Sequence, residues 1–220
     1  MAITLDIQND IAHIAMDDGK ANAMSFSFLE EFTSQLNKAE KDAKAIVLSG
    51  RPWRFCAGFD LSIMRESPDR AGELVNAGGH LMLRLFTSPV PVVIACTGHA
   101  LAGGGLLLLC ADTRIGTQGD FKIGLNETAI GMVLPTIGIE LAMARLRPDH
   151  FTSAIIQATP YDPDGAVEAG YLDMAVAPDA LMETSFAAAG ALSQLPQHSY
   201  HGNKLLVRKQ PIAAIKASLV

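Results

Sequence analysis

Two glycine-bearing loops are the first candidates for chemistry in this sequence of 220 residues. One is FCAGFDL at 55–61 and the other is ALAGGGLLLLCAD at 100–112, and each is predicted to follow a strand and precede a helix. A helix start leaves backbone N–H groups free and carries the positive end of the helix dipole. One N–H from each loop can therefore hold a single oxyanion, with roughly 3–4 kcal/mol of transition-state stabilisation from each donor. For the triplet at 103–105, close backbone packing against a strand is an equally good explanation when the triplet is taken alone.

Nucleotide and nucleic-acid functions find little support. No G-K-[ST] follows the glycine triplet, and the G-x-G-x-x-G spacing is absent. The net charge is −6 and Lys and Arg form no clusters, so we expect no nucleic-acid partner. No cluster of His, Cys, Asp and Glu has metal-ligand spacing, so we expect no metal either.

The two loops resemble the paired oxyanion-hole motifs of the crotonase (enoyl-CoA hydratase/isomerase) superfamily. The resemblance extends from the first strands to about Leu195, and it includes the NAM loop at 22–24 and the VEAG segment at 167–170. It implies an α/β fold, a spiral of ββα turns with a helical C-terminal region, usually assembled as a homotrimer or a dimer of trimers. It also implies an acyl-CoA substrate and no separate cofactor, since coenzyme A is part of that substrate.

The resemblance assigns roles to individual residues. The oxyanion donors should be the backbone N–H groups of Phe59 and Gly103. The acyl-thioester should be lined by the segment that consists of Ala57, Gly58, Phe59, Asp60 and Leu61. Alignment without gaps places the first catalytic glutamate of the hydratases at Leu106, and leucine cannot transfer a proton.

Glu127 is the candidate for the second family acid. Its surroundings, IGLNETAIG at 123–131, are similar to the monofunctional Δ3,Δ2-enoyl-CoA isomerases, in which one glutamate suffices and Asn126 is a substrate-binding candidate. One carboxylate can take a proton from C2 and return one at C4. The apolar neighbours Ile123, Leu125 and Ile130 are expected to raise its pKa. From its own spacing, an exposed loop or N-cap carboxylate is the alternative.

The other chemically capable residues are expected to be structural. His99 and the acids Asp60 and Asp112 are predicted to support turns and strands, and Glu140 to lie on a solvated or paired helix face. Cys56, Cys96 and Cys110 lie in apolar surroundings, which suits reduced thiols in a cytoplasmic protein. The tail lysines and arginines are predicted to form a solvated helix face, with contact to CoA phosphates as the alternative: Lys204, Arg208, Lys209 and Lys216.

The elements that must position these residues alternate between strands and helices. Strands are predicted at ITLDI, IAHIAM, AIVLS, PVVIAC, DTRIGT and 174–176, and 50–61 is predicted to be a loop. The first helix is predicted after a capping box at Ser27. Further helices are predicted at 69–87, 104–111 and 178–195, and in the segments GIELAMARL, HFTSAIIQA and DPDGAVEAG. The tail is also predicted to be helical, with an interruption at Pro211. We divide the chain into a core, 1–195, and a C-terminal helical segment, 196–220.

The uncharged stretch from Val90 to Ala111 is long enough to suggest a membrane span. Pro91, Gly98 and the glycine triplet interrupt it, and its first half is β-branched. We therefore predict a buried strand, a turn and a buried helix, with no membrane partner. The N-terminus has no basic region followed by an apolar run, so no signal peptide is expected.

Three functions remain at this stage. The first is isomerisation of a 3-enoyl-CoA by Glu127 alone. The second keeps the fold but changes the reaction to hydration, hydrolysis or decarboxylation of another acyl-CoA. The third is a non-catalytic acyl-CoA-binding or assembly protein.

Overall fold

The computed structural model describes residues 2–220. In it, short segments with many β-branched residues form a six-stranded sheet. Its strands are β1 (Ile3–Gln8), β2 (Ile11–Met16), β3 (Ala45–Ser49), β5 (Val92–Cys96), β7 (Thr113–Thr117) and β9 (Met174–Val176), in the spatial order β1-β2-β3-β5-β7-β9. The β1–β2 pair is antiparallel and all other pairs are parallel. All five residues of β3 and of β5 are buried, which explains their continuous apolar runs.

A second, three-stranded parallel sheet lies beside the first. It consists of β4 (Trp53–Cys56), β6 (Gly98–Leu101) and β8 (Ile123–Gly124), in the order β4-β6-β8. From β3 onward, successive strands thus alternate between the two sheets, and a helix follows each of the first three strand pairs. The succession confirms the predicted spiral of ββα turns.

Nine helices complete the described part of the chain. They are α1 (Phe26–Asp42), α2 (Leu61–Met64), α3 (Pro68–Phe86), α4 (Gly103–Cys110), α5 (Thr136–Arg145), α6 (Pro163–Ala169), α7 (Leu181–Ser193), α8 (Gln197–Val207) and α9 (Lys209–Ser218). The tail is helical, and its break falls at Arg208, which leaves Pro211 in the first turn of α9. An N–H has no intrahelical partner in a first turn, so proline fits there. The division at residue 195 stays a prediction.

Three local predictions were wrong. Ser25, not Ser27, caps α1, and its Oγ accepts a hydrogen bond from the N–H of Phe28. HFTSAIIQA follows a 3₁₀ turn at Pro148–His150 and forms a π-helical turn at Thr152–Ile156 instead of an α-helix. The loop predicted at 50–61 contains β4, which pairs only with the short strand β6 and so has no long alternating pattern.

The uncharged stretch forms β5, β6 and α4, and every residue of α4 is buried. The predicted strand and helix are therefore confirmed, with a second short strand in place of the turn. Nowhere within residues 2–220 is there a helix long and apolar enough to cross a membrane.

A buried ion cluster joins the tail to the core. Asp112, directly after α4, accepts from Lys204 Nζ at 2.7 Å and from Arg208 Nη2 at 2.8 Å. Lys204 Nζ also donates to the carbonyls of Ser88 and Val90. The predicted solvated face is therefore wrong for Lys204 and Arg208, because the tail folds back onto the core and buries them. Contact of these cations with CoA phosphates stays a prediction. Asp112 is structural, as predicted.

The remaining tail lysines, Lys209 and Lys216, are exposed, as predicted. All three cysteines are buried and free. Burial raises the pKa of Cys56 to about 12, so this thiol is a poor nucleophile despite its place in the first glycine loop.

Candidate active site

The NAM loop holds the first glycine loop in place. The N–H groups of Ala57 and Asp60 donate to the carbonyls of Ala21 and Met24. The N–H of Gly58 points to Cys56 Sγ at 3.4 Å. Within the described residues, the amide of Phe59 is then the one N–H between 57 and 60 that has no hydrogen-bond partner.

The second glycine loop lies against the first. A Cβ placed on Gly58 would lie 3.0 Å from the backbone N of Gly103, and one on Gly103 would lie 3.3 Å from the Cα of Gly58. Gly103 is the first residue of α4, where an amide has no intrahelical partner. The two predicted donors therefore come from backbone segments in direct contact.

Both explanations offered for the glycine triplet, close backbone packing and a free N–H at the helix start, apply, but to different glycines. A Cβ on Gly104 would overlap the carbonyl of Cys56, and one on Gly105 would lie 2.8 Å from the carbonyl of Gly124. These two glycines thus allow β4 and β8 to approach α4 closely. Close packing explains Gly104 and Gly105, while Gly103 presents its amide at the helix start.

Ala102, which precedes α4, has an unusual backbone conformation. Its φ is 50° and its ψ is −125°, a region that L-residues rarely adopt. Such a conformation costs about 1–3 kcal/mol and persists where the surrounding structure imposes it. Here the Ala102 N–H donates to the carbonyl of Gly124, which fixes the turn that aims the start of α4.

An apolar cavity of about 130 Å³ lies beside these loops. It brings together five of the predicted site residues, namely Ala57, Phe59, Leu61, Asn126 and Glu127. Gly103 is not in its lining, but its neighbour Ala102 is, and so is Leu106. Gly58 and Asp60 do not line it.

Glu127 is the only ionisable side chain of the described residues that lines this cavity. It follows β8 at the N-cap position of the 3₁₀ turn Thr128–Ile130, but it is only 6% exposed and its side chain makes no capping hydrogen bond. The exposed-carboxylate alternative is therefore wrong. Its Oε2 is buried and has no hydrogen-bond partner among residues 2–220, and the same holds for Oδ1 of Asn126. Burial in the apolar wall raises the pKa of Glu127 to about 7, so it can accept and release a proton near neutral pH.

Leu106 forms part of the wall of the same cavity and is 1% exposed. The position that the resemblance assigns to the first hydratase glutamate is therefore apolar and buried. The cavity therefore has one carboxylate, and it lacks the second one that would be needed to hold a water molecule between two carboxylates.

The other candidates lie elsewhere. Asp60 caps α2 by accepting from the N–H and the Oγ of Ser62. His99 Nδ1 accepts from the N–H of Lys122 at 2.9 Å, which is a structural role, as predicted. Glu140 lies on α5 and does not line the cavity. Across residues 2–220, no group of three His, Cys, Asp or Glu side chains is arranged to hold a metal ion.

Sequence reasoning missed part of the cavity wall. The members that it did not single out are apolar side chains from α2, α3, β6 and the loop before α5: Met64, Val75, Leu101, Met132, Val133 and Pro135. No local signal distinguishes such residues from core residues. The exposure of Val133, 92%, becomes visible only in the folded chain.

Known proteins of one family resemble this chain. The family described as Enoyl-CoA hydratase/isomerase matches residues 6–215. The mouse protein Enoyl-CoA delta isomerase 1, mitochondrial, is 30% identical over 204 residues, which cover 90% of this chain and 71% of the mouse protein. A Bacillus subtilis (strain 168) protein named Probable enoyl-CoA hydratase is 32% identical over 136 residues, 60% of this chain and 52% of that protein.

A solved structure is also very similar. It is the crystal structure of an enoyl-CoA hydratase/isomerase family protein from Pseudomonas syringae, with 38% identity and a TM-score of 0.97. The match covers 99% of this chain and 95% of that one.

Proposed function

Because the chain belongs to the enoyl-CoA hydratase/isomerase family, we propose that it converts a 3-enoyl-CoA to the 2-trans-enoyl-CoA, with Glu127 as the only proton shuttle. The family acts on acyl-CoA thioesters, and this narrower reaction rests on one observation. A single buried carboxylate with an unpaired oxygen lines an apolar cavity beside two glycine loops.

The proposed reaction needs only a proton transfer and a stabilised enolate. The N–H groups of Phe59 and Gly103 hold the thioester oxygen, and Glu127 takes a proton from C2. The C–H electrons form a C2–C1 double bond while the oxygen gains negative charge. Glu127 then returns the proton at C4, so that the double bond moves from C3–C4 to C2–C3. Asn126, whose Oδ1 is also unpaired, is proposed to contact the substrate.

Leu106 supports isomerisation over hydration. Addition of water needs one group to activate the water and another to protonate the product carbon, and the apolar wall offers neither at this position. The wall also keeps water from the enolate.

Assays with two substrates test the proposal. Purified protein should convert 3-hexenoyl-CoA with an increase in conjugated-enoyl absorbance, and should hydrate crotonyl-CoA far more slowly. Faster hydration would favour the hydratase alternative, which the Bacillus subtilis relative suggests. Binding of CoA thioesters without turnover of any enoyl, acyl or malonyl thioester would favour the non-catalytic alternative.

The pH dependence of the rate follows from the raised pKa of Glu127. Only the ionised carboxylate takes the C2 proton, and burial places its pKa at about 7. We therefore expect kcat/KM to rise with pH and to reach half of its plateau at about pH 7. Initial rates between pH 5 and pH 9 in buffers of constant ionic strength measure this. A rate that is already close to its plateau at pH 5 would show that Glu127 is not desolvated.

A methyl group at Gly58 should disturb the oxyanion hole. Gly58 has φ of 92°, and its new Cβ would lie 3.0 Å from the Gly103 N and 3.0 Å from the Ala102 Cβ. We expect Gly58→Ala to lower kcat for isomerisation about 10²-fold, the loss of one donor. Gly72→Ala is the matched control, because a Cβ there meets nothing within 4 Å. Equal rates for the two variants would contradict a role of this contact.

Three accompanying expectations are proposals on the same basis. The reaction uses no cofactor beyond the coenzyme A of the substrate. The protein forms a homotrimer or a dimer of trimers, which light scattering after size-exclusion chromatography tests. The protein is cytoplasmic, which cell fractionation tests.

A further inference from the structure

A second cavity, of about 450 Å³, lies at the other end of α4. It is bounded by α8, the end of α5 and Asp112, and it shares no lining residue with the cavity of Glu127. The proposed reaction makes no use of it.

The charges around this second cavity do not balance. Three cations, Arg145, Lys204 and Arg208, line it together with one carboxylate, Asp112. Both oxygens of that carboxylate are occupied, one by Lys204 and the N–H of Val92 and the other by Arg208. The formal charge of the four groups is therefore about +2.

Arg145 is the cation without a counter-ion. Its Nη2 donates only to backbone carbonyls, those of Ala111 at 2.9 Å and of Asp112 at 3.3 Å. Its Nε is buried and has no partner, and Nη1 makes no hydrogen bond to any described residue. Within residues 2–220 no carboxylate forms a salt bridge with this side chain.

The surroundings of Arg145 also disfavour its charged form. Burial and, after it, the nearby charges of Arg114 and Arg208 together lower the pKa of Arg145 to about 10, although Asp173 and Asp112 act in the opposite direction. A half-buried guanidinium without a counter-ion is costly, and an oxyanion is the group that offsets the cost.

We propose that this cavity binds a phosphate-type oxyanion, as inorganic phosphate or as a phosphate monoester, with Arg145 as its principal counter-ion. Guanidinium groups present paired N–H donors that match phosphate oxygens. Ser199, Tyr200 and Asn203 add hydroxyl and amide groups to the lining, which suits the several oxygens of a phosphate better than the two of a carboxylate. The volume also leaves room for the organic part of a monoester.

Thermal melting in phosphate tests this directly. At constant ionic strength, with potassium chloride as the reference, phosphate at ten times its Kd should raise the melting temperature by roughly 3 °C. A parallel titration with adenosine monophosphate distinguishes a monoester site from a site for the free ion, because tighter binding of the nucleotide would identify the former. An unchanged melting temperature in both titrations would overturn the proposal.

Two variants of one exposed residue make the test specific. Asn203→Glu places a carboxylate in the cavity, and Asn203→Gln is its uncharged control. The glutamate variant should melt higher than the glutamine variant without phosphate, and it should lose the phosphate shift that the control keeps. Equal phosphate shifts in the two variants would place the ion elsewhere and overturn the proposal. Neither reading depends on enzyme activity, so the result is independent of the proposed isomerase function.

Discussion

Glu127→Gln is expected to lower kcat for 3-hexenoyl-CoA isomerisation by 10²–10⁴-fold, because no other ionisable side chain of the described residues lines the cavity. The amide has nearly the same shape as the carboxylate but cannot accept the C2 proton. The KM should change little, since the oxyanion donors are backbone groups. Stopped-flow absorbance at the conjugated-enoyl band measures the effect.

Glu140→Gln is the matched control for this experiment. It removes a glutamate from α5, outside the cavity, and should leave kcat within about twofold of the wild type. A Glu127→Gln variant that retains wild-type kcat would exclude the single-carboxylate mechanism.

Glu127→Gln lowers activity but should raise stability at neutral and alkaline pH. In the folded protein the pKa of Glu127 is raised from 4.5 to about 7, so the native state binds its proton more tightly than the unfolded chain. Stability is therefore lost as the pH rises from about 4.5 through 7, on the order of 3 kcal/mol in total. The melting temperature of Glu127→Gln relative to the wild type should accordingly be higher at pH 8 than at pH 5.

Asp112→Asn is expected to destabilise the protein by about 3–5 kcal/mol. The carboxylate is the counter-ion of both Lys204 and Arg208, whose side chains are 4% and 10% exposed. The asparagine keeps the size of the side chain but leaves two buried cations without an anion. Urea denaturation followed by circular dichroism measures the change in the free energy of unfolding.

An exposed ion pair provides the control. Asp10 and Lys44 also lie 2.7 Å apart, but both side chains are about 60% exposed. Asp10→Asn should cost no more than about 1 kcal/mol. If the two variants lost similar amounts of stability, burial would not be what makes the Asp112 cluster important.

The sequence was sufficient for features that depend on local pattern. Buried parallel strands such as β3 and β5 appear as short, mainly apolar runs that contain β-branched residues, and α4 as a leucine run opened by glycines. The two glycine loops, with Glu127 in its apolar surroundings, indicated the candidate site. The raised pKa of Glu127 was predicted from its neighbours and is confirmed.

Other features depend on contacts between distant segments. Lys204 and Arg208 bind Asp112 across 92 and 96 residues of sequence, and the tail by itself has the pattern of a solvated basic helix. The cavity wall likewise combines α2, α3 and the loop after Glu127, whose apolar residues carry no local mark of their role. At α1 the predicted cap was Ser27, but the helix begins at Phe26, so Ser25 forms the cap.

The contact between Gly58 and Gly103 also bears on how such a protein can evolve. Both proposed donors are main-chain amides, so only a substitution by proline removes one directly, and other substitutions act on them indirectly by adding a side chain where the two loops touch. Selection can vary the wall around them, including position 106, while the electrophilic centre is inherited intact. A lineage can thus exchange one reaction for another by altering side chains alone.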